Sequence, residues 1–293
     1  MALKTPDGRV ALRYVTTKGE TPNLAAPSAA YFHPLNSPSG VTVTAVAPGD
    51  HRHHRGMFLA WHSMEFRAPG KPSGPNAPKT FNITRGDYWG WGQYGPVQDR
   101  VIENREVKLV DSSAKQARVE IRNEWMAGTR ALMEEAGSFT VREEQGAFVI
   151  DAEYRLTPAQ ELYLNQNAFG GFCVRARNDG EFYFATPEGK VDLPNAHYSN
   201  AETDWPMKDW YDYTITLQDG KTAGAAVIDH PANPASKWHG SRSLSMLNPV
   251  IVANGPVLAE HSKPLTLRYR VVVHDGHTPT ELLNRLAREW RGK

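Results

Sequence analysis

A chain of 293 residues with 33 basic and 32 acidic side chains is long enough for one large β-domain or two ordinary ones and is close to electrically neutral. That balance offers no basic face to nucleic acid and no polybasic anchor to a membrane. No apolar run reaches the ~18 residues needed to span a bilayer, and the single cysteine, Cys173, excludes an internal disulfide framework. Residues 10–15 open with strand character between Asp7-Gly8 and Gly19. Residues 31–35 and 41–46 follow, separated by the turn-forming Asn36-Ser37-Pro38-Ser39-Gly40. The Met1 end lacks the apolar core of a signal peptide. The expected location is periplasmic or secreted if an export signal has been removed, and cytoplasmic otherwise.

Residues 67–97 predict a long loop. Prolines and glycines between Ala68 and Pro78 remove donors and loosen the chain, and aromatics crowd Asp87 to Gly95. A loop of this length inside a compact domain is usually functional or disordered, and the concentrated aromatics favour an ordered, functional loop, a lid or rim. Residues 101–156 predict a meander with a hairpin of 137–142 and 147–156 over Glu144-Gln145-Gly146. Cys173 sits among apolar neighbours and predicts a buried, inert thiol. Further strands are expected at 171–177, 211–217 and 224–228, with 265–274 the longest. A helix over about 279–291 has Thr278 as its cap, Pro279 at its first position and an apolar face of Leu282, Leu283, Leu286 and Trp290. With no repeat and no linker, the chain predicts a single domain over 1–293, a large antiparallel β-sandwich with a C-terminal helix.

Four of the 11 histidines fall between His51 and His62, in Asp50-His51-Arg52-His53-His54-Arg55-Gly56 and Trp61-His62. If this run is extended, His51, His53 and Arg55 share one side and His54 takes the other. His51 and His53 then have the spacing of a pair that can share a divalent metal, although Glu65 is too distant in sequence to complete the familiar β-helix metal site. Metal is not required. A histidine can move a proton while Arg55 stabilises a negatively charged oxygen.

A second polar group follows an apolar strand: Asp229, His230, Asn233, Trp238, His239 and Asn248. Asp229 is placed to orient a histidine, and a proline-stiffened turn explains Asn233 equally well. A third group, Asn165 and Asn167 before Gly170-Gly171, offers amides suited to sugar hydroxyls, or a plain turn. Trp61, Trp89, Trp91 and Trp238 serve as sugar platforms or as core filling. Glu124, Glu134, Glu135 and Glu260 supply carboxylates, and spacing ranks none of them.

Three stretches together resemble the bacterial family labelled PmoA-type: residues 49–56, residues 170–175, and residues 228–234 with Trp238-His239. The order and spacing match over about residues 8–276. The label, borrowed from a methane oxygenase membrane subunit, does not suit a chain without an apolar spanning run. The resemblance implies a galactose-mutarotase-like supersandwich and carbohydrate chemistry, often with an export signal. The family's usual Lys-Glu pair before the glycines is replaced here by Asn167-Ala168, so no acid role carries over there.

The resulting expectation is a carbohydrate-active enzyme that cleaves a glycosidic bond, as hydrolase or lyase, on a small or oligosaccharide substrate. His51, His53, His54, Arg55, His62, His230 and His239 are its candidate catalytic groups. Trp61, Trp89, Trp91, Asn165, Asn167, Asp229, Asn233, Trp238 and Asn248 are its candidate binding groups. A mutarotase-type sugar epimerase and a non-catalytic carbohydrate-binding protein are the alternatives. Convergence of the two histidine groups on one pocket favours an enzyme, and separation favours a binding module.

Overall fold

Alternating burial along the strand Gln116–Ala127, with Val119, Ile121 and Trp125 facing inward, is what a sheet with one covered face requires. The structure, a computed structural model, describes residues 1–5, 7–70, 80–113, 115–193 and 205–292. Among these residues the strands form three antiparallel sheets. The largest runs, in spatial order, Gly189–Val191, Glu181–Thr186, Trp210–Thr216, Thr222–Asp229, Leu265–Asp275, Ala147–Pro158, Arg130–Glu144, Gln116–Ala127 and Arg100–Ser112. A second runs Ala2–Lys4, Val10–Val15, Tyr31–Leu35, Met57–Ala60, Gly171–Arg175, Met246–Val250 and Lys237–His239. A third joins Val257–Ala259, Glu161–Leu164, Met64–Pro69 and Phe81–Gly86.

The two larger sheets pack face to face through aromatic rings. Phe172 stacks on Tyr269 at 4.2 Å, and Phe32 meets Phe139 at 4.5 Å. Such ring pairs add about 0.5–1.5 kcal/mol each beyond the burial of their area. Cys173 is fully buried here, and burial pushes its thiol above the usual range. The other face of the nine-stranded sheet is covered by the helix Thr280–Trp290. Its Leu282, Leu283, Leu286 and Ala287 pack on Val149, Ala226, Ile228 and Val272. An all-β antiparallel sandwich with a C-terminal helix is therefore the observed architecture.

Several expectations need correction. Residues 67–97 are not one loop: Met64–Pro69 and Phe81–Gly86 pair in register from Met64↔Gly86 to Pro69↔Phe81, because ladder bonds tolerate a proline at an outer strand end. The proline-rich residues 71–79 lie outside the described residues. Residues 41–46 make only isolated bridges, and the strand Arg130–Glu144 is longer than Leu265–Asp275. Thr278 does not cap the helix. Its hydroxyl is drawn instead to the buried Asp212 carboxylate at 2.6 Å.

Candidate active site

The histidine run is a turn, not a strand. His54 N donates to His51 O at 2.9 Å, closing the turn, and Gly56 leaves it with φ +54°. A Cβ at Gly56 would stand 2.1 Å from Phe32 O, so only glycine lets the turn seat against its neighbouring strand. The turn gathers all three imidazoles. His51 stacks on His54 at 4.8 Å, and His53 stands edge-on to His54 at 4.6 Å and to His51 at 5.6 Å.

The strand Gly171–Arg175 fastens this turn. Its register, Val174 opposite Met57, places Arg175 beside the motif. Arg175 Nη2 donates to both Asp50 oxygens at 2.8 and 2.7 Å, and Nη1 lies 3.3 Å from His54 Nδ1. Burial pushes the Asp50 carboxyl up, but the Arg175 bonds and charge outweigh it and hold it below the usual range.

The roof comes from residues 87–97. The Asp87 carboxylate accepts the backbone N–H of Gly90 at 2.7 Å and of Gly92 at 2.5 Å. This fold of the chain presents Trp89 and Trp91. Trp89 stands edge-on to His54 at 5.4 Å, and Trp91 lies over His53 at 6.5 Å and Phe169 at 5.2 Å. Gly90, at φ +100°, lies so close to Ala26 that a Cβ would come within 2.6 Å of it. Phe169 then links His62, stacked at 4.3 Å, to His239 at 5.3 Å.

Together His51, His53, His54, His239, Trp89, Trp91, Phe169, Leu244 and Met246 enclose a recess of about 20 Å³. A volume of that size holds about one water, so a sugar ring cannot enter and a small polar group can. Among the described residues no carboxylate lines it. A larger cavity of about 440 Å³ lies elsewhere, between Leu3, Lys4, Val141, Arg142 and Phe148 among others, and holds none of the expected site residues.

Burial dominates the protonation of the cluster. It lowers His53 to about 3, helped by the charges of His51, Arg55 and Arg175. His54 is also lowered well below its ordinary value, by burial and by the charges of His53 and Arg175. Burial takes His62 to about 4, against an opposing pull from the Asn167 amide. Among the described residues His53, His54 and His62 are therefore neutral imidazoles at pH 7. No group of three or more His, Cys, Asp or Glu side chains among the described residues is arranged to hold a metal, so the His51–His53 pair has no completing ligand set there.

The other expected residues divide sharply. His239 joins the recess, but His230 does not: it stands edge-on to Trp290 of the helix at 5.2 Å, and its Nδ1 accepts Ala232 N. Asp229 orients no imidazole. Its oxygens accept His230 N, Asn233 Nδ2 and Ser236 Oγ, and Asn233 in turn bonds the backbone of Arg268 at both its amide atoms. These are turn-building contacts. Arg55 is wholly buried and donates to the carbonyls of His53, Tyr88 and Trp89, tying the roof to the turn from behind. Trp61 is buried beneath Gly170 and Gly171, and Trp238 packs on Tyr211 and donates to Lys208 O. Asn248 binds Gly170 and Phe172 and thereby positions Phe169 rather than touching the recess. Asn165 donates to Ser63, and Asn167 accepts Ala168 N beside His62.

Sequence reasoning missed Asp50, Asp87, Phe169 and Arg175 as site-building residues. Asp50 and Arg175 both lie in the quoted motifs, 125 residues apart. Only the pairing of their strands reveals that they meet.

The chain belongs to the family of unknown function DUF6807, whose model matches residues 4–288. A comparison with curated proteins found no match. Solved structures similar to it include a putative mutarotase, YeaD, from Salmonella typhimurium, at 10% identity and TM-score 0.37 over 82% of this chain and 78% of that one. A galactose mutarotase related enzyme from Lactobacillus acidophilus matches at 6% identity and TM-score 0.31, over 72% and 78%. The GH36 alpha-galactosidase AgaA from Geobacillus stearothermophilus matches at 10% identity and TM-score 0.33 over 82% of this chain. This chain spans 29% of that enzyme's length. These neighbours have carbohydrate-related descriptions, and the likeness is one of fold alone.

Proposed function

We propose that the chain is a carbohydrate-active enzyme that cleaves a glycosidic bond at the histidine recess, by elimination. The observation that carries this reading is the gathering of His51, His53, His54 and His239 on one recess walled by Trp89, Trp91 and Phe169. A binding module needs an open aromatic face, whereas these histidines are drawn together from two distant motifs. Glycoside hydrolysis usually relies on two carboxylates flanking the bond. Here Asp50 is held by Arg175 and Asp87 by backbone N–H groups, and neither lines the recess. Neutral imidazoles are what remains to do acid–base work.

In such an elimination His53 takes a proton from a sugar carbon made acidic by its neighbour. The electron pair left on that carbon forms a carbon–carbon double bond as the adjacent carbon–oxygen bond breaks. His53, now carrying that proton, returns it to the departing oxygen, directly or through a neighbouring imidazole. The products are an unsaturated sugar and a chain with a free hydroxyl, and no water is consumed.

Mass spectrometry of the products from a panel of oligosaccharides tests this directly. Fragments whose masses sum to that of the substrate support elimination. Fragments that together gain one water replace it with hydrolysis, and an altered sugar of unchanged mass replaces cleavage with epimerisation.

A further inference from the structure

The recess is unusual in which hydrogen-bonding atoms it leaves over. Arg55 Nε, Arg175 Nε and Trp89 Nε1 are buried and make no hydrogen bond among the described residues. All three can only donate. A buried donor without an acceptor is costly; Trp89 lines the recess, and Arg55 and Arg175 stand behind the turn and roof that form it. The complement is a ligand rich in acceptor oxygens.

The fixed charges agree. Arg55 and Arg175 are both fully buried. Arg175 spends its Nη2 on Asp50, whereas Arg55 has no carboxylate within 4.0 Å among the described residues and is held by carbonyls. Asp87, whose charge reaches Arg55, directs its oxygens at its own loop. At the imidazoles burial is the main cause of the lowered basicity, and the charges of Arg55 and Arg175 on His53 and His54 add to it. A negative group placed against those rings would be attracted and would restore their basicity.

Size completes the argument. The recess of about 20 Å³ has room for one oxygen-sized group, and Trp91, 37% exposed, lines it and offers a face on which a ring outside the recess can rest. We propose that the substrate is an acidic sugar, a uronate-containing oligosaccharide whose carboxylate presents one oxygen to the recess while its ring rests on Trp91. This rests on the carbohydrate reading above and names its substrate class. It also supplies what elimination needs, since a carboxylate held among donors and cations makes the neighbouring C–H acidic.

The test uses oligogalacturonides, alginate oligosaccharides and glucuronate-containing oligosaccharides, each beside its carboxyl-reduced counterpart. Binding to the full chain is measured by calorimetry, with sodium acetate as a separate probe. At least one uronate is expected to bind tenfold or more tightly than its reduced counterpart. That preference should fall at least tenfold in His53→Gln and persist in His230→Ala. Reduced sugars binding as tightly as the uronates would overturn the acidic-sugar proposal and leave the carbohydrate reading standing. Acetate binding as tightly as any uronate would reduce the recess to a simple anion site and overturn it as well. Binding of no sugar of either kind, with no cleavage of the panel, would remove both.

Discussion

Arg175 and Asp50 meet from 125 residues apart, with Nη2 of one 2.8 and 2.7 Å from the two carboxylate oxygens of the other. The guanidinium is wholly buried, while the Asp50 side chain keeps 35% of its exposure. Removing the acid leaves a buried cation without its partner. Such losses cost about 3–5 kcal/mol when both groups are buried, and solvent at Asp50 reduces this to about 1–3 kcal/mol. Asp50→Asn is therefore expected to lower unfolding free energy by that amount in urea titrations, and to lower activity further by freeing the histidine turn. An unchanged midpoint would show that the pair does not fasten the turn.

Trp91 gives the opposite pattern. It is partly exposed, and its neighbours His53, Phe169 and Tyr94 keep other contacts. Trp91→Ala is expected to cost less than about 1 kcal/mol of stability, in line with other exposed positions. Substrate affinity should fall tenfold or more, seen as a raised KM with kcat less affected. Loss of stability without loss of affinity would place Trp91 in the scaffold.

His53 links the recess to acid stability. Its folded pKa is about 3 against an ordinary 6.5, so the unfolded chain takes a proton between those values that the folded chain refuses. This contribution is complete above about pH 6.5 and is lost as the pH falls toward 3. Each pKa unit corresponds to about 1.4 kcal/mol. The stability of His53→Gln relative to the natural chain is thus expected to improve by about 2 kcal/mol between pH 8 and pH 5. Denaturant titrations at the two pH values read this difference, and a difference near zero would mean that His53 is protonated in place.

Glu135 titrates with the opposite sign. It is buried between the sheets, where Asn123 Nδ2 and Trp125 Nε1 donate to it at 2.9 and 2.7 Å. Burial nevertheless prevails and raises its carboxyl from 4.5 to about 7. The folded chain holds this proton between pH 4.5 and 7, whereas the unfolded chain has lost it. The carboxyl therefore favours folding at low pH and opposes it increasingly up to about pH 7. Relative to the natural chain, Glu135→Gln is expected to gain about 2–3 kcal/mol on going from pH 5 to pH 8. A pH-independent difference would contradict the raised value.

The sandwich was legible because its strands carry their own pattern. Val119, Ile121 and Trp125 alternate with polar neighbours, and the hairpin around Gln145-Gly146 announces its turn. Less was visible where tertiary contacts override local signals. Prolines near residue 69 disguised a strand that ends in Pro69, and Thr278 had the form of a cap while its hydroxyl belongs to Asp212. In the site, His53 and His54 stood out by type. Their convergence did not, because the turn from His51 to His54 breaks the two-residue periodicity expected of a strand. The motif around Asp229 and His230 looked equally chemical, yet its polar groups are consumed in building a turn. Asp50 and Arg175 could be joined only through the pairing of Met57–Ala60 with Gly171–Arg175.

That division of the histidines provides the most direct measurement. Cleavage rates of the natural chain, His53→Ala and His230→Ala are compared on whichever oligosaccharide of the panel the natural chain cleaves, with folding of each variant confirmed by thermal melting. His53 lies in the recess and His230 packs against Trp290. The expected result is a loss of at least about 100-fold in kcat for His53→Ala, the scale of a lost general acid or base, with His230→Ala close to the natural rate. Full activity in a folded His53→Ala would contradict the assignment of the recess as the active site.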